Sequence, residues 1–154
     1  MSIPGGANPL LLATAAAAAA DFKISRSLRF NDDDTAFLSR TPSSAGNRQT
    51  WTWSAWVKRS NLGTEQVLWT AGADTNTGEW SALRFITTDQ LQFINNTSNS
   101  TDINLLTTQV FRDSSAWFHI LLRADITNGT ANDRIDIYIN GTKIDTYSTE
   151  TQPG

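Results

Sequence analysis

The alternation of side chains over residues 51–58 constrains the fold of this chain more than any other feature. The segment reads Trp-Thr-Trp-Ser-Ala-Trp-Val-Lys, and successive residues of a β-strand point to opposite faces of its sheet. Trp51 and Trp53 therefore share one face, while Trp56 lies on the other. Because both faces carry aromatic surface, the pattern predicts a strand covered on both sides, away from a solvent edge.

Composition narrows the class of protein. A chain of 154 residues has room for one domain that buries roughly two thirds of its unfolded surface. It contains no cysteine and one histidine, which excludes a disulfide framework or a thiolate metal site and argues against imidazole-rich zinc sites. Lysine and arginine are scattered and the net charge is −3, so we expect no nucleic-acid partner.

Residues 1–21 differ in composition from the rest of the chain. Asn8 and Pro9 suit the start of a helix, and three leucines lead into an alanine tract that ends at Ala20, so a short helical or extended arm is predicted. A helix of this length measures about 16 Å, too short to cross a bilayer. A secretory signal is the alternative, but no basic residue precedes Lys23.

This segment has too little apolar surface to fold alone. We interpret it as an assembly arm that orders when a partner buries its leucines; a tail without a partner is the other interpretation. The residues assigned to the arm contact are Asn8, Pro9, Leu10, Leu11 and Leu12.

From Phe22 onward, short apolar runs alternate with polar turns, a rhythm typical of an all-β domain. The domain is therefore assigned to residues 22–154. The predicted strands are residues 27–30, 36–38, 50–59, 66–71, 80–87, 90–95, 103–106, 117–125, 134–140 and 142–147.

The clearest hairpin spans residues 134–147, because Asn140-Gly141 is typical of a type I′ turn. A two-residue loop places Ile137 opposite Ile144 and gathers the isoleucines on one buried face. Tyr147 is predicted on the opposite face. In the same register Asp136 faces Asp145, so this pair of like charges must be solvated, compensated by a lysine or bridged by a cation. We favour solvation.

Three segments in order resemble a known family: Ser27-Leu28-Arg29-Phe30, the strand ending in Trp56-Val57-Lys58, and Trp117-Phe118-His119 followed by Tyr138-Ile139-Asn140-Gly141. This pattern resembles the laminin G-like, concanavalin A-like lectin/glucanase domains. The resemblance covers residues 22–147, and it implies an antiparallel jelly-roll β-sandwich.

The chain is also similar to the versions of this domain in tailed-phage structural proteins, through the stretch at residues 40–48 and the Pro-Gly-Gly, Leu-rich leader. That similarity implies a virion component: a tail fibre, a tail-attached protein or a head decoration. We expect it to contact other virion proteins through the arm and to attach to host surface glycans. The alternatives are a secreted carbohydrate-binding module and, with less support, a glucanase-like hydrolase.

Members of the family continue beyond the Asn-Gly hairpin with a strand pair that returns beside the first strand. The present sequence ends at Gly154. We therefore expect either a C-terminally incomplete domain of a longer polypeptide or a homo-oligomer, a trimer among the options, in which a neighbouring subunit completes the sheet.

No catalytic residue is assigned, because glycoside hydrolysis requires two carboxylates facing one cleft. The three glutamates are isolated, and Ile137 and Tyr138 follow Asp136 where a second acid would be needed. His119 is interpreted as a packed structural residue. Asp32, Asp33 and Asp34 suggest calcium, but three adjacent side chains cannot converge on one ion, so an acidic turn is favoured. We expect no cofactor or metal.

A sugar-binding site requires a ring-stacking aromatic residue beside amide and carboxylate groups. The predicted loops at residues 72–79 and 95–102 supply such groups. The candidate ligand-binding residues are Asp74, Asn76, Trp80, Asn96 and Asp102. An equally supported interpretation makes Trp69 and Trp80 core or subunit-contact residues.

Overall fold

The structure is a computed structural model, and it describes residues 28, 30, 35–74 and 78–154. The chain divides into two compact units, Met1–Ser43 and Ser44–Gly154. The described residues of the first unit form no helix or strand. The assembly arm with Asn8, Pro9 and Leu10 to Leu12, the acidic run at residues 32–34 and the predicted boundary after residue 21 lie outside the described residues.

The second unit is almost entirely β-structure, as predicted. Its only described helix is the short 3₁₀ turn Ala131–Asp133, and no helix in the described parts of the chain is long and apolar enough to span a membrane. The strands are β1 (Thr50–Lys58), β2 (Gln66–Asp74), β3 (Glu79–Phe85), β4 (Gln90–Thr97), β5 (Ser100–Val110), β6 (Trp117–Asp125), β7 (Ile135–Ile139), β8 (Thr142–Lys143) and β9 (Tyr147–Thr151).

These strands form two antiparallel sheets. The first sheet has the order β1-β6-β7-β8, and the second has the order β2-β3-β4-β5-β9. Every pairing is antiparallel. The inner faces of the two sheets pack on each other, which makes the unit a jelly-roll β-sandwich.

Two of the predicted strands are wrong. Residues 36–38 form no strand, and Phe37 is 79 % exposed. Of residues 27–30, only Leu28 and Phe30 are described, and neither lies in a strand. A brief apolar run forms a strand only when another strand pairs with it. Among the described residues, no strand pairs with either of these runs. Every predicted strand from residue 50 onward overlaps an observed one.

The core lies between the sheets and is filled by alternate residues of the central strands. Leu83 on β3 stands opposite Phe93 on β4, and Leu122 on β6 stands opposite Ile137 on β7. The buried cluster comprises Leu83, Phe85, Leu91, Phe93, Ile103, Leu105, Phe111, Ile120, Leu122, Ala124, Ile135, Ile137 and Ile139. Period-two alternation in both sheets therefore builds one continuous apolar layer.

The position of β1 corrects the prediction drawn from residues 51–58. The odd-numbered tryptophans, Trp51 and Trp53, pack against the core as expected. However, β1 lies at the end of its sheet and pairs only with β6 among the described residues, and Trp56 on its outer face is 65 % exposed. One aromatic side chain among threonine, serine and lysine is not enough to require a covering layer.

The Asn-Gly hairpin forms with the predicted register. Asn140 and Gly141 both have positive φ, 52° and 84°, and Ile139 pairs with Thr142. Ile144 still donates a backbone hydrogen bond to the Ile137 carbonyl, at 2.8 Å. The chain then leaves this sheet, because Tyr147 begins β9 in the second sheet and packs against the core. Its predicted position on the outer face is therefore wrong.

Asp136 is buried rather than solvated, being only 2 % exposed. Arg123 lies 2.7 Å from its Oδ2 and Lys143 Nζ lies 2.8 Å from its Oδ1. The contact with Asp136, followed by one with Asp133, raises the pKa of Lys143. Two cations therefore compensate the carboxylate, which corrects the predicted solvation of the acidic pair.

A second buried polar cluster joins the loop after β1 to the turn before β4. Arg59 donates to Asp89 Oδ1 at 3.2 Å and to the Phe111 carbonyl at 3.2 Å, and its guanidinium carbon lies 4.4 Å from the Phe85 ring centroid. Gly63 N–H donates to Asp89 Oδ1 at 2.8 Å. These bonds satisfy a fully buried arginine at one end of the sandwich.

Candidate glycan-binding face

The outer face of the second sheet carries an aromatic residue among hydrogen-bonding side chains. Trp80 on β3 stands directly opposite Asn96 on β4, so both project from the same face. The guanidinium carbon of Arg84, four residues further along β3, lies 5.5 Å from the Trp80 ring centroid. Trp80 is half-buried, so part of its surface remains accessible to a ligand.

A ladder of polar side chains continues this face across three strands. Arg84 Nε donates to Gln92 Oε1 at 3.0 Å, and Gln92 Nε2 donates to Asn104 Oδ1 at 2.9 Å. Glu65 accepts a further bond from Arg84 at 3.1 Å. Because each group is fixed by its neighbour, the ladder holds Arg84 and Asn104 in a fixed arrangement on this face, while Gln92 between them is buried.

At one end of this face the two predicted loops meet. The N–H of Asn99, in the β4–β5 turn, donates to the Gly78 carbonyl at 3.4 Å. A Cβ on Gly78 would meet the backbone nitrogen of Asn99 at 2.4 Å, and Gly78 has a φ of 68°. Glycine at position 78 therefore permits a close approach of the loops that a larger residue would prevent.

The structure brings together only part of the predicted site. Trp80 and Asn96 are neighbours, and Thr101 Oγ1 donates to Asn96 Oδ1 at 2.8 Å. Asp102 is the extra residue where the register shifts between β4 and β5, and its carboxylate accepts from Asn95 at 3.5 Å. Asn95 has the opposite orientation to Asn96 along the strand, so Asp102 is not part of the Trp80 face.

The other predicted residues are described less fully. Asp74 pairs with Glu79 through the backbone of β2 and β3, but its side chain and the whole of Asn76 lie outside the described residues. Sequence reasoning missed Arg84, Gln92 and Asn104. Period-two spacing from Trp80 identifies Arg84, whereas the two amides are recognisable only once the strand pairing is known.

The histidine and the clustered acids contact neighbouring side chains in the described part of the chain. His119 Nε2 shares a hydrogen bond of 2.9 Å with Ser54 Oγ, and its ring lies 5.2 Å from that of Trp56. Lys143 lies between Asp133 and Asp136, 3.0 Å and 2.8 Å from their oxygens. In the described part of the chain, no group of three or more histidine, aspartate or glutamate side chains could hold a metal ion.

Two packed antiparallel sheets define a jelly-roll β-sandwich. The family described as the concanavalin A-like lectin/glucanases superfamily, a laminin G family, matches residues 31–154. The chain therefore belongs to this family, in agreement with the resemblance found in the sequence. No curated protein and no solved structure gave a significant match.

Proposed function

We propose that this chain is a structural component of a bacteriophage virion and that its sandwich is a non-catalytic, lectin-like domain for attachment to host surface glycans. The observation that carries the glycan proposal is the placement of Trp80 beside Asn96 and Arg84 on one outward face. Such a combination of an aromatic ring with fixed polar groups suits a sugar ring, which has apolar C–H faces and a rim of hydroxyls.

Each group has a defined task in this proposal. The accessible part of the Trp80 indole stacks on the sugar, while the Asn96 amide and the Thr101 hydroxyl bond to the sugar hydroxyls. Arg84 is already held by Gln92 and Glu65, so it loses little side-chain entropy on binding. A polysaccharide lying along the face would also reach Asn104 on β5.

The virion setting is supported by the resemblance of two segments, the Pro-Gly-Gly, Leu-rich leader and the stretch at residues 40–48, to tailed-phage structural proteins. In this setting the segment with Asn8, Pro9 and Leu10 to Leu12 attaches the domain to other virion proteins, and several copies display their glycan faces together. Multiple copies would convert weak single-site binding into firm attachment.

The glycan proposal is tested with an array of purified bacterial surface polysaccharides, followed by calorimetry on each polysaccharide that binds. Trp80→Ala is expected to weaken binding by roughly tenfold or more, because stacking is lost, and Asn96→Ala by a smaller factor. The matched control is Trp117→Ala, which removes a tryptophan that is 59 % exposed on the first sheet. Equal losses in Trp80→Ala and Trp117→Ala would contradict the site.

The virion proposal is tested by mass spectrometry of purified phage particles. Peptides from residues 1–20 should persist in the mature particle, whereas the secreted-module alternative requires cleavage near Ala20 on export. Release of reducing sugar from a bound polysaccharide, abolished by changing one acid, would instead support the hydrolase alternative.

A further inference from the structure

Arg84 is the only basic residue in the five described strands of the second sheet. It shares the outer face with Trp80 and Ala82, because alternate residues of β3 point to the same side of the sheet. Since Ala82 between them has a side chain of a single carbon, the guanidinium reaches the indole, 5.5 Å from its ring centroid. A positive charge therefore lies beside the ring on which the proposed sugar stacks.

Arg84 already holds one carboxylate at the edge of this face. Its Nη1 lies 3.1 Å from Oε2 of Glu65, the residue just before β2. The Glu65 side chain is 49 % exposed, against 21 % for that of Arg84. An ion pair with this exposure contributes little to stability, so a carboxylate from a ligand could replace Glu65 at low cost.

The guanidinium keeps its position when this exchange takes place. Its Nε donates to Gln92 Oε1 at 3.0 Å, and Gln92 is buried. The other four N–H groups of an arginine lie on Nη1 and Nη2, and only one of these bonds joins Arg84 to Glu65. The two nitrogens together suit a bidentate contact with a carboxylate.

The position beside Trp80 on β2 carries no side chain, because the paired residue there is Gly72. A Cβ at this position would lie 2.7 Å from the Trp80 Cα, and Gly72 has a φ of 148°. Glycine is therefore required at position 72 by the backbone and by its close approach to β3. The result is space for a pyranose ring beside the indole.

We propose that the glycan face selects an acidic sugar: the ring of a uronic acid stacks on Trp80, and its carboxylate displaces Glu65 from Arg84. In a uronic acid the carboxylate is bonded directly to a ring carbon, so the apolar ring face and the charge lie side by side, as the indole and the guanidinium do. A neutral hexose has a hydroxymethyl group at the same carbon and makes only a weaker, uncharged contact with Arg84.

This inference rests on the proposed glycan function and adds to it the class of sugar and an internal competitor, the Glu65 carboxylate. The competitor gives the site a second form of selectivity. A ligand without a carboxylate leaves Glu65 in place on Arg84, whereas an acidic ligand exchanges one charged contact for another.

Calorimetry on the full chain compares a uronic acid polysaccharide with the same polymer after carbodiimide activation and borohydride reduction, which convert its carboxylates to hydroxymethyl groups. Reduction should weaken binding to the wild type by roughly tenfold or more, because a hydrogen-bonded charge pair is lost. In Arg84→Gln the two polymers should bind equally. Any structural effect of this substitution acts on both polymers, so the ratio of the two affinities reports the charge contact alone.

The control for Arg84→Gln is Lys58→Gln, which removes the same charge from an exposed position on the first sheet. It should keep the preference of the wild type for the acidic polymer. Loss of the preference in Lys58→Gln as well would show that the net charge of the chain, and not the Arg84 contact, causes it, and would overturn the inference.

Glu65→Gln tests the internal competitor at an exposed position where the substitution does not endanger folding. It should tighten binding of the acidic polymer by roughly two- to fivefold, because a surface ion pair no longer competes for Arg84, and leave binding of the reduced polymer unchanged. Its control, Glu150→Gln, removes the same charge from an exposed position on β9 and should bind both polymers as the wild type does. Equal tightening in the two variants would contradict the exchange at Arg84.

The outcomes separate this inference from the function on which it rests. Binding that is confined to neutral polysaccharides and is weakened by Trp80→Ala would overturn the acidic-sugar inference but support the glycan face. Undiminished binding of an acidic polymer after reduction would do the same. If no polysaccharide of the array binds, the proposed glycan function and this inference are both wrong.

Discussion

Arg59 and Asp89 show how single residues fix the end of the sandwich. The Arg59 side chain is fully buried, and Asp89 receives bonds from Arg59, Arg112 and the Gly63 backbone. The Gly63 N–H, followed by Arg112, lowers the pKa of Asp89 below its ordinary value of 3.8. A carboxylate held in this way contributes more to stability when it is ionised.

The first prediction follows from that pKa shift. Because the pKa of Asp89 is lowered in the folded state, its ionised carboxylate contributes fully to the free energy of unfolding above about pH 4. This contribution is lost as the pH falls through the folded-state pKa. Asp89→Asn should therefore lower the free energy of unfolding at neutral pH, and its difference from the wild type should shrink in acid. Urea unfolding from about pH 7 to about pH 2.5 measures this dependence.

Asp145→Asn provides the control, since Asp145 is exposed. Its unfolding curve should follow that of the wild type over the whole range. If the free energy of unfolding of Asp89→Asn stays below that of the wild type by the same amount down to the lowest pH, the ionised carboxylate is not the stabilising group.

At the scale of elements, the β7–β8 hairpin depends on two backbone conformations. Asn140 and Gly141 both have positive φ, and the Asn140 side chain also accepts a hydrogen bond from the His119 N–H at 2.9 Å. The turn therefore sets the register of the hairpin and links it to β6. Since Ile137 and Ile139 lie just before it, the turn also positions part of the core.

Gly141→Val should lower the free energy of unfolding by roughly 1–3 kcal/mol, because a β-branched residue is strained at this φ of 84°. The matched control is Gly129→Val, at an exposed loop position where an added Cβ meets nothing within 4 Å. Chemical denaturation of both variants gives the comparison. Similar losses at the two positions would indicate that the turn conformation is not the cause.

The elements also show what the sequence could and could not predict. Local rules were sufficient for the β1 alternation and the Asn-Gly turn, because each depends on adjacent residues. They did not reveal that β1 lies at an edge or that Tyr147 moves to the other sheet, since both depend on strand order. Likewise Trp80 was recognisable as an aromatic residue near a turn, but its polar neighbours Gln92 and Asn104 come from other strands.

At the scale of the whole molecule, the described core lies within the Ser44–Gly154 unit. All residues of the buried cluster lie between Leu83 and Ile139, and the described residues before Thr50 contribute no strand. All nine described strands of the two sheets belong to this unit. The described fold therefore depends on long-range pairing among β1 to β9.

A variant that begins at Ser44 should accordingly fold on its own. All six tryptophans lie in this unit, so the same fluorescence signal reports unfolding in the full chain and in the shortened one. We expect free energies of unfolding that agree within about 1 kcal/mol, as is usual when segments outside the core are removed. A control that begins at residue 60 lacks β1 and should not fold, because Trp51 and Trp53 no longer pack against the core. If the Ser44 variant instead gave an unfolded circular dichroism spectrum, residues before Ser44 would have to supply part of the fold.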